Sequence, residues 1–433
     1  MEPFRFMTLD PAHFHGALVH KEMHPAIAPT VHIYAPFRTD LMGHLERMAS
    51  FNNREINPTY WQLEVHARPD FLVRMLKEKP GNVVMISGRN RQKIDYMLAS
   101  VEAGLHVLAD KPWIIRYEDF PKLEQLVQLA LKNKRVIYDM MTERFEITNI
   151  LQRELIRDRA VFGKLQRGSD GNVVQIRSVH ALMKLVAGHP LRRPSWFFDV
   201  EQQGEGLADV ATHLVDLVNW ILFPDQAINL LTNVDVHQAQ RSPNLISRED
   251  FQLLTGEADF PKNLRANVRA GKLEYFCNNR VSYSVNGIHV GLETLWSAEA
   301  SPVSGDTLES TIRGTRATVQ IRQDHFLGSR PELWVIPVEC GPSETRRELW
   351  RWIENNAKAY PGVTLFDNGS RFRIDIPKAL RIGHEAHFGR VVNEFLGYLK
   401  NPASMPAWEM PNLLAKYYIT TKGVELARTG ADS

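Results

Sequence analysis

Residues 104–112, which read GLHVLADKP, decide the fold of this chain. The apolar run at residues 107–109 predicts a short buried strand, because helices cover both faces of a parallel sheet. Asp110, Lys111 and Pro112 follow this strand at once. Since open α/β sheets bind ligands at the carboxyl ends of their strands, an acid and an amine at this edge indicate a functional site. An Asp–Lys pair in a solvated loop is the alternative interpretation.

A second stretch, residues 204–220, reads GEGLADVATHLVDLVNW and predicts a helix after two glycines. Asp209, His213 and Asp216 recur at steps of four and three, so they share one face of that helix. A carboxylate one turn from an imidazole orients the ring and suits general acid–base chemistry. An ordinary polar helix face is the alternative. Another face of the helix is a buried apolar stripe, which consists of Leu207, Val210, Ala211, Leu214, Val215, Leu217, Val218 and Ile221.

The length and composition indicate a soluble globular protein of two domains. A chain of 433 residues is too long for one ordinary core. Its hydrophobic content of 44% and its charged content of 24% are typical of globular proteins. The net charge of +2 gives no electrostatic case for binding nucleic acid. Because Cys277 and Cys340 are the only cysteines, the sequence excludes a disulfide framework and a thiolate metal cage.

No part of the sequence is expected to enter a membrane. Its apolar runs are shorter than the roughly 20 residues that span a bilayer. The first residues, MEPFRFM, lack the basic, apolar and small-residue regions of a signal peptide. We therefore expect a cytoplasmic protein, although a leader removed beforehand would leave the same sequence.

Strand-like and helix-like segments alternate through residue 139. This alternation predicts a doubly wound parallel sheet of the nucleotide-binding type, with right-handed crossovers. After the first strand, Asp10 and Pro11 predict a helix start, with Asp10 as the N-cap and Pro11 at the first helical position. Besides the strand within 104–112, the expected strands cover residues 4–9, 31–35, 61–66, 82–86 and 135–139, and the expected helices cover 41–50, 71–77, 91–103 and 120–132.

The pattern changes in the rest of the chain. Alternating polar and apolar residues with short turns predict an antiparallel sheet that has one buried and one free face. The predicted fold class is α/β, with a doubly wound parallel sheet in residues 1–145 and an α+β domain with a large, open, mainly antiparallel sheet in residues 146–433. We expect helices at 147–157, 385–399 and 411–426, the last two packing on the first domain, and strands at 173–179, 267–277, 281–285, 289–297, 307–312 and 317–322.

With both motifs, the chain resembles the Gfo/Idh/MocA family of NAD(P)-dependent sugar oxidoreductases. The Glu-Lys-Pro signature of that family is similar to Asp110-Lys111-Pro112, and its Gly-Gly-x-x-x-Asp-x-x-x-His helix is similar to residues 204–213. The resemblance covers nearly the whole chain and implies a Rossmann dinucleotide-binding domain followed by a substrate-binding and oligomerisation domain. Residues 110–144, 196–199 and 384–388 also resemble a subgroup with a distinctive oxidoreductase C-terminal domain.

The first turn departs from the family pattern. Residues 9–16 read LDPAHFHG, so Gly16 is the only glycine where the family carries Gly-x-Gly-x-x-Gly. A helix N-terminus there still offers N–H groups to a phosphate, whereas Asp10 would place a carboxylate close to that anion. The second strand ends in YAPFR at residues 34–38, without the acid that grips the ribose of NAD. Arg38 could bind the 2′-phosphate of NADP, but an exposed arginine without a ligand is an equal alternative. We therefore expect NAD or NADP, with NAD preferred.

The resemblance assigns roles in hydride transfer from an alcohol. Lys111 is the cation that binds the substrate oxygen, His213 is the acid and base, and Asp209 positions them. The Lys111–Pro112 peptide bond is expected to be cis. An Arg such as Arg144 often lies near the nicotinamide in this family, although an interdomain ion pair is an equal alternative. The expected cofactor-binding residues are Asp10, Ala12, His13, Phe14, Tyr34, Ser87, Gly88, Asn90, Asp110, Lys111 and Arg144.

The substrate pocket is expected just before the glycines at 204–206, where polar and aromatic side chains suit a sugar. No metal is expected, because the spacings of His13 and His15, or of His384 and His387, do not match a metalloprotease helix and no supporting cluster accompanies them. The expected substrate-binding residues are His180, Lys184, Arg193, Trp196, Asp199 and His213.

Three functions compete at this point. The first is an NAD(P)-dependent oxidoreductase that acts on a hydroxyl of a sugar, glycoside or polyol. The second is an NAD-dependent glycosidase that oxidises the sugar transiently, eliminates the aglycone and reduces the product again. The third is a non-catalytic sugar- or nucleotide-binding protein, which the presence of Lys111, Asp209 and His213 disfavours. In each case we expect a small-molecule ligand and a homo-oligomer, a dimer or tetramer, since an open antiparallel sheet usually finds a partner.

Overall fold

The computed structural model describes residues 2–167, 173–183, 185–186, 189–297, 306–323, 330–339 and 341–430. Lys184, which we predicted to bind substrate, lies outside these residues. Among the described residues, no helix is both long and apolar enough to cross a membrane.

The N-terminal sheet is parallel and has the strand order β3-β2-β1-β4-β5-β6, which confirms the predicted Rossmann topology. Strands β2 and β3 are added on one side of β1, and strands β4 to β6 on the other. Folds of this type bind their ligands at this switch point between β1 and β4. The elements are β1 (Phe6–Leu9), α1 (His15–Leu18), β2 (Thr30–Ala35), α2 (Thr39–Asn53), β3 (Gln62–Ala67), α3 (Phe71–Glu78), β4 (Val83–Ile86), α4 (Asn90–Glu102), β5 (His106–Ala109), α5 (Phe120–Lys132) and β6 (Ile137–Asp139).

The register of three neighbouring strands fixes the carboxyl edge of this sheet. Leu9 of β1 pairs with Ile86 of β4, and Ile86 pairs with Ala109 of β5. The next residues along the three strands are Asp10, Ser87 and Asp110. Because parallel strands end at the same edge, these three polar residues leave the sheet side by side.

The predicted helix start at Asp10 and Pro11 is wrong. Asp10 has a φ of +44°, in the left-handed region, and α1 begins only at His15. The N–H groups of Ala12 and His13 both donate to the carbonyl of Ser87 instead of starting a helix. The chain therefore makes a turn between β1 and α1, because the bonds to the neighbouring strand end outcompete an early helical turn.

The second sheet has ten strands among the described residues and confirms the predicted open, mainly antiparallel architecture. Its order is β10-β12-β13-β7-β14-β15-β16-β18-β17, with β11 beside β12 and only β13 and β7 parallel. Its strands are β7 (Val174–Ala181), β10 (Val234–Ile246), β11 (Val268–Arg269), β12 (Lys272–Val285), β13 (Ile288–Ser297), β14 (Thr307–Arg313), β15 (Ala317–Arg322), β16 (Glu332–Pro337), β17 (Thr364–Asp367) and β18 (Phe372–Asp375), and a separate ladder joins β8 (Leu185–Val186) to β9 (His189–Pro190).

Helices accompany this sheet, and several elements differ from the prediction. The two strands expected at 267–277 and 281–285 are mainly one long strand, β12, and the expected helix after residue 204 is divided at Val210. The strands β10, β16, β17 and β18 and the helix α12 were not predicted. The helices are α6 (Ile147–Arg157), α7 (Val200–Gln203), α8 (Gly206–Asp209), α9 (Ala211–Leu222), α10 (Leu230–Asn233), α11 (Arg248–Thr255), α12 (Pro342–Asn356), α13 (His384–Lys400) and α14 (Glu409–Thr429).

The chain divides into two compact units. The first consists of Met1–Thr142, Trp196–Gly204 and His384–Met410, and the second of Glu143–Ser195, Glu205–Gly383 and Pro411–Ser433. The helix α13 therefore lies in the first unit, whereas nearly all of α14 lies in the second. Two short segments beyond residue 145 thus complete the unit that holds the parallel sheet.

The core of the first unit contains two histidines in neutral form. His20 and His44 are at most 2% exposed, and neither ring nitrogen of His44 has a hydrogen-bond partner among the described residues. Burial lowers the pKa of His20 to about 4 and that of His44 to about 3, because a charged imidazole would lose its hydration there.

We predict that His44 makes folding sensitive to mild acid. Its pKa is about 3 in the folded chain and near 6.5 when exposed, so below pH 6.5 the unfolded chain binds the extra proton and stability falls. Between pH 7 and pH 5 this one group should cost about 2 kcal/mol of unfolding free energy. Urea unfolding of His44→Phe at both pH values should show a pH effect smaller by that amount. An equal pH effect in wild type and variant would refute the assignment.

Candidate active site

The carboxylate of Asp110 is the centre of a buried polar cluster at the carboxyl edge of β5. Its Oδ1 accepts a hydrogen bond from Nζ of Lys93 at 2.5 Å, and the same ammonium donates to the Asp110 carbonyl at 2.8 Å. Lys93 also donates to Oδ1 of Asn90 at 2.9 Å. Lys93 is 0% exposed and Asp110 is 1% exposed, so this is a fully buried ion pair.

The second oxygen of Asp110 faces three side chains from the other strand ends. Oγ of Ser87 donates to Oδ2 at 3.0 Å, and Nδ1 of His13 lies 3.1 Å from it. Nδ1 of His15 lies 3.3 Å from the same oxygen. The cluster thus joins the ends of β1, β4 and β5 through one carboxylate.

Charge and burial set the protonation of this cluster. Burial alone would raise the pKa of Asp110, but the ammonium of Lys93 outweighs burial and holds that pKa well below its usual range. Burial also lowers the pKa of Lys93, partly offset by Asp110. Burial, helped by neighbouring His13, lowers the pKa of His15 well below its usual value. The cluster therefore holds an ionised Asp–Lys pair and a neutral His15.

The turn between β1 and α1 keeps part of the geometry that glycines provide in dinucleotide-binding folds. Asp10 adopts the left-handed backbone that the first glycine normally supplies. A Cβ at Gly16 would lie 3.0 Å from the Met85 side chain, and one at Gly88 would lie 2.3 Å from the Asp10 carbonyl. Gly88 is thus required by the close approach of the turn to the end of β4, and Gly16 packs closely against β4. The buried carboxyl of Asp10 has a raised pKa because it loses hydration, although Arg38 and Arg89 act against that rise.

Lys111 is the next residue after Asp110, so the Asp110 cluster determines its position. Lys111 is 8% exposed, and the Lys111–Pro112 peptide bond is cis, as expected. Because Asp110 is held by Lys93 on one oxygen and by Ser87 on the other, the position of the Lys111 backbone is fixed. Lys111 thus lies at the carboxyl edge of the parallel sheet, one residue beyond Asp110.

The predicted acid–base helix belongs to the second unit. Asp209 ends α8 and His213 lies in the first turn of α9, where its N–H donates to the Val210 carbonyl at 3.0 Å. Asp209 is 6% exposed, and its charge acts on the buried side chains of Arg193 and Tyr275. All members of the predicted apolar stripe are buried, which confirms that pattern.

A second buried ion cluster lies one turn further along α9. The guanidinium of Arg144 binds the carboxylate of Asp216 through two bonds, from Nε at 2.6 Å and from Nη2 at 2.7 Å. Nζ of Lys416 donates to the same carboxylate at 3.1 Å. Burial would raise the pKa of Asp216, but the two cations lower it. Arg144, predicted to bind cofactor, is therefore engaged by Asp216 in its own unit.

Comparison with known proteins places these features in a family. Residues 151–428 match the model of a family described as "Putative oxidoreductase C terminal domain". The chain is also 40% identical to a solved "putative oxidoreductase from Parabacteroides merdae ATCC 43184", with a TM-score of 0.95 and 99% of each chain covered. The chain belongs to the Gfo/Idh/MocA oxidoreductases, in the subgroup with this C-terminal domain. A search of curated proteins gave no match.

More distant solved structures share the fold of this Gfo/Idh/MocA member. A levoglucosan dehydrogenase in complex with NADH and levoglucosan is 14% identical, with a TM-score of 0.61 and coverage of 99% of this chain and 98% of the other. The 3-ketoreductase KijD10 from Actinomadura kijaniata, in complex with TDP-benzene and NADP, is 12% identical, with a TM-score of 0.57 and the same coverage. At these identities the similarity concerns the fold alone.

In this Gfo/Idh/MocA member, the structure brings only some of the predicted residues together. His13, Ser87, Asn90 and Asp110 meet in the Asp110 cluster, and Ala12 is tied to Ser87 by its backbone. Phe14 is 9% exposed, with its ring 4.4 Å from that of His13 and 4.6 Å from that of His15.

The side chains of Tyr34 and of the predicted substrate residues of the first unit bind other partners. The buried Tyr34 stacks on His66 at 4.3 Å and donates to Glu78. Nε1 of Trp196 donates to Asp40 at 3.0 Å, with the Arg89 guanidinium 5.4 Å from its ring. Asp199 caps α7 by accepting the N–H of Glu201.

The remaining predicted substrate residues, His180 and Arg193, lie near each other in the second unit. Arg193 is 4% exposed and donates to the carbonyls of Ala181 and Leu182, and burial lowers its pKa. Its guanidinium lies 5.0 Å from the ring of Trp296, and the ring of His180 lies 5.2 Å from the same indole. Nδ1 of His180 lies 3.1 Å from Asp306. The two side chains thus share an aromatic neighbour at the end of β7.

The sequence-based prediction of the site did not include three residues of these two clusters, Lys93, His15 and Lys416. Lys93 lies on the buried face of α4 with Asn90, Ile94 and Met97. A lysine within an apolar stripe of a helix is the sequence feature that could have indicated a buried ion pair. His15 lies 3.3 Å from Asp110, although the two residues are far apart in the sequence. Lys416 lies in α14, far from Asp216 in sequence, and gave no local signal.

We predict that Asp110→Asn strongly destabilises the chain. The substitution removes the carboxylate that forms the ion pair with Lys93, and breaking a buried ion pair costs about 3–5 kcal/mol of unfolding free energy. Asp95→Asn, on the same helix, is the matched control, because the Asp95–Lys122 pair is exposed and should be worth about 1 kcal/mol or less. Urea unfolding measures both. Equal effects of the two variants would contradict the assigned role of Lys93.

Proposed function

We propose that this Gfo/Idh/MocA oxidoreductase transfers a hydride between a nicotinamide cofactor and a hydroxyl-bearing carbon of a sugar, glycoside or polyol. The observation that carries the proposal is the placement of Lys111 at the carboxyl edge of β5, beside the point where the strand order reverses. The NADH and NADP complexes of the levoglucosan dehydrogenase and of KijD10 support the cofactor class. The levoglucosan bound to the first of these supports the substrate class.

The first unit has features that fit a dinucleotide. The strand order, the left-handed turn residue and the close approach of Gly16 to β4 reproduce three elements of a dinucleotide-binding fold. The cations Arg38 and Arg89 act on the Asp10 carboxyl and offset its charge beside an incoming diphosphate. The residues that would hold the cofactor are the turn at 12–14 together with Ser87, Gly88 and Asn90.

The chain's own residues supply the remaining chemistry. When bound, a nicotinamide ring supplies or accepts the hydride. The Lys111 ammonium donates a hydrogen bond to the substrate oxygen and stabilises negative charge that develops there. His213 takes the hydroxyl proton during oxidation and returns it during reduction. Asp209 orients the imidazole. That Lys111 and His213 act on one substrate stays a prediction.

We predict that Lys111→Ala lowers kcat by about 100-fold or more while the dinucleotide still binds, because the lost interaction forms chiefly in the transition state. Turnover is measured by NAD(P)H absorbance with a panel of glycosides and polyols, and binding by NAD(P)H fluorescence. Lys132→Ala is the control, because Lys132 is an exposed lysine at the end of α5. A near-normal rate in Lys111→Ala would contradict the role of Lys111 in binding the substrate oxygen.

A double variant tests whether the two units serve one reaction. If Lys111 and His213 act on the same substrate oxygen, Lys111→Ala combined with His213→Asn should lose little more activity than either single variant. Losses that simply multiply would show that the two residues act independently.

The denatured protein distinguishes the competing functions. Released dinucleotide identified by mass would name the cofactor as NAD or NADP. Exchangeable cofactor with stoichiometric NADH formation is the outcome expected for a dehydrogenase. Tightly held NAD and aglycone release without net NADH would instead indicate the glycosidase, and the lack of any affinity for a dinucleotide would indicate a binding protein.

A further inference from the structure

We infer that His13, His15 and Asp110 form a binding site for a divalent transition metal ion, with Zn²⁺ as the representative. Each of the three side chains offers one ligand atom, and these three atoms all lie within 4.8 Å of one another. The inference does not rest on the proposed function, since it concerns a property of the first unit alone. It departs from the sequence-based expectation of no metal.

The distances within the cluster match a tetrahedral ion. Zinc binds imidazole nitrogen and carboxylate oxygen at about 2.0–2.2 Å, so two ligands of a tetrahedral site lie about 3.3 Å apart. Nδ1 of His13 lies 3.1 Å from Oδ2 of Asp110, and Nδ1 of His15 lies 3.3 Å from it. The rings of the two histidines are nearly perpendicular, at 81° with centroids 4.0 Å apart, so each nitrogen approaches from its own direction.

The His15 nitrogen supplies an independent observation. The His15 side chain is nine-tenths buried, and its Nδ1 lies 3.3 Å from Oδ2 of Asp110 without the alignment of a hydrogen bond to any described residue. A buried imidazole nitrogen without a hydrogen bond is costly. If that nitrogen carries a lone pair, it faces the lone pairs of a carboxylate oxygen. A cation between the two atoms turns this repulsion into two coordination bonds.

The surroundings hold the proposed ligands in place before any ion binds. Lys93 binds Oδ1 of Asp110 and leaves Oδ2 directed towards the histidines. Oγ of Ser87 lies between Oδ2 and the His13 carbonyl, at 3.0 and 3.2 Å. Such outer contacts orient the ligands of metal sites and strengthen binding. Imidazole and carboxylate ligands suit zinc and its neighbours rather than magnesium or calcium.

Three protein ligands leave at least one coordination position for another group. Sites with three ligands and an open position are typical of zinc that binds water or a ligand oxygen, whereas structural zinc sites have four protein ligands. The cluster lies at the carboxyl edge of β1, β4 and β5, so the open position would accept an oxygen of a molecule bound at that edge.

Calorimetry with Zn²⁺ on chelator-treated protein, without any cofactor, tests the inference. We expect one strong site, with affinity lowered at least about tenfold in His13→Ala and in His15→Ala. His66→Ala is the matched control, because His32, Glu64 and His66 form a second potential ligand group on the outer strands β2 and β3, where Glu64 is 57% exposed. Unchanged affinity in both His13 and His15 variants, or loss of the strong site in His66→Ala alone, would overturn the inference.

A measurement on the wild-type chain covers the case of a variant that does not fold. Crystals soaked with Zn²⁺ should give an anomalous-scattering peak within coordination distance of His13, His15 and Asp110. A peak only elsewhere, or no peak, would overturn the inference. Neither test involves turnover, so the failure of the metal site and the failure of the oxidoreductase proposal give different results.

Discussion

The buried ion pair between Lys93 and Asp110 is the interaction on which the carboxyl edge of the first unit depends. A buried charge pair is tolerated only when further hydrogen bonds satisfy its remaining donors and acceptors. Here Asn90, Ser87 and the Asp110 carbonyl provide them. The pair fastens α4 to the end of β5, and it thereby fixes the backbone that carries Lys111. An apolar pair would pack as well but would leave nothing to orient the neighbouring imidazoles.

The strands of the first unit were predictable because apolar residues repeat in short runs separated by helical periods. Their pairing followed from topology rules, and the position of Asp110 followed from the end of the apolar run. The role of Asp110 did not follow, because its partners lie in three other segments. Lys93 is seventeen residues upstream in α4, and only the fold shows that its ammonium reaches the strand end. Sequence reasoning finds residues at strand ends and misses the side chains that hold them.

The edges of the second sheet were harder to predict for a physical reason. The strand β10 includes Pro243 and several polar residues, and its pairing with β12 shifts at two places. An edge strand pairs on one side only, so it tolerates a proline and needs little apolar character. The central strands β12 and β13 alternate strictly between buried and less buried positions, and these gave the clearest pattern. The helix face with Asp209 and Asp216 was predicted as one set, but the two carboxylates have different neighbours.

The replacement of glycine by Asp10 explains how a turn can lose its sequence signature and keep its shape. A left-handed backbone costs most residues about 1–2 kcal/mol, and aspartate is among the few that adopt it readily. Asp10 therefore reproduces the turn of a first glycine and adds a buried carboxyl beside Arg38 and Arg89. A plain glycine turn attracts a diphosphate with N–H groups alone. In this chain, the N–H groups of Ala12 and His13 bond to Ser87 instead. These two N–H groups are thus occupied, and the cations Arg38 and Arg89 supply positive charge beside the turn.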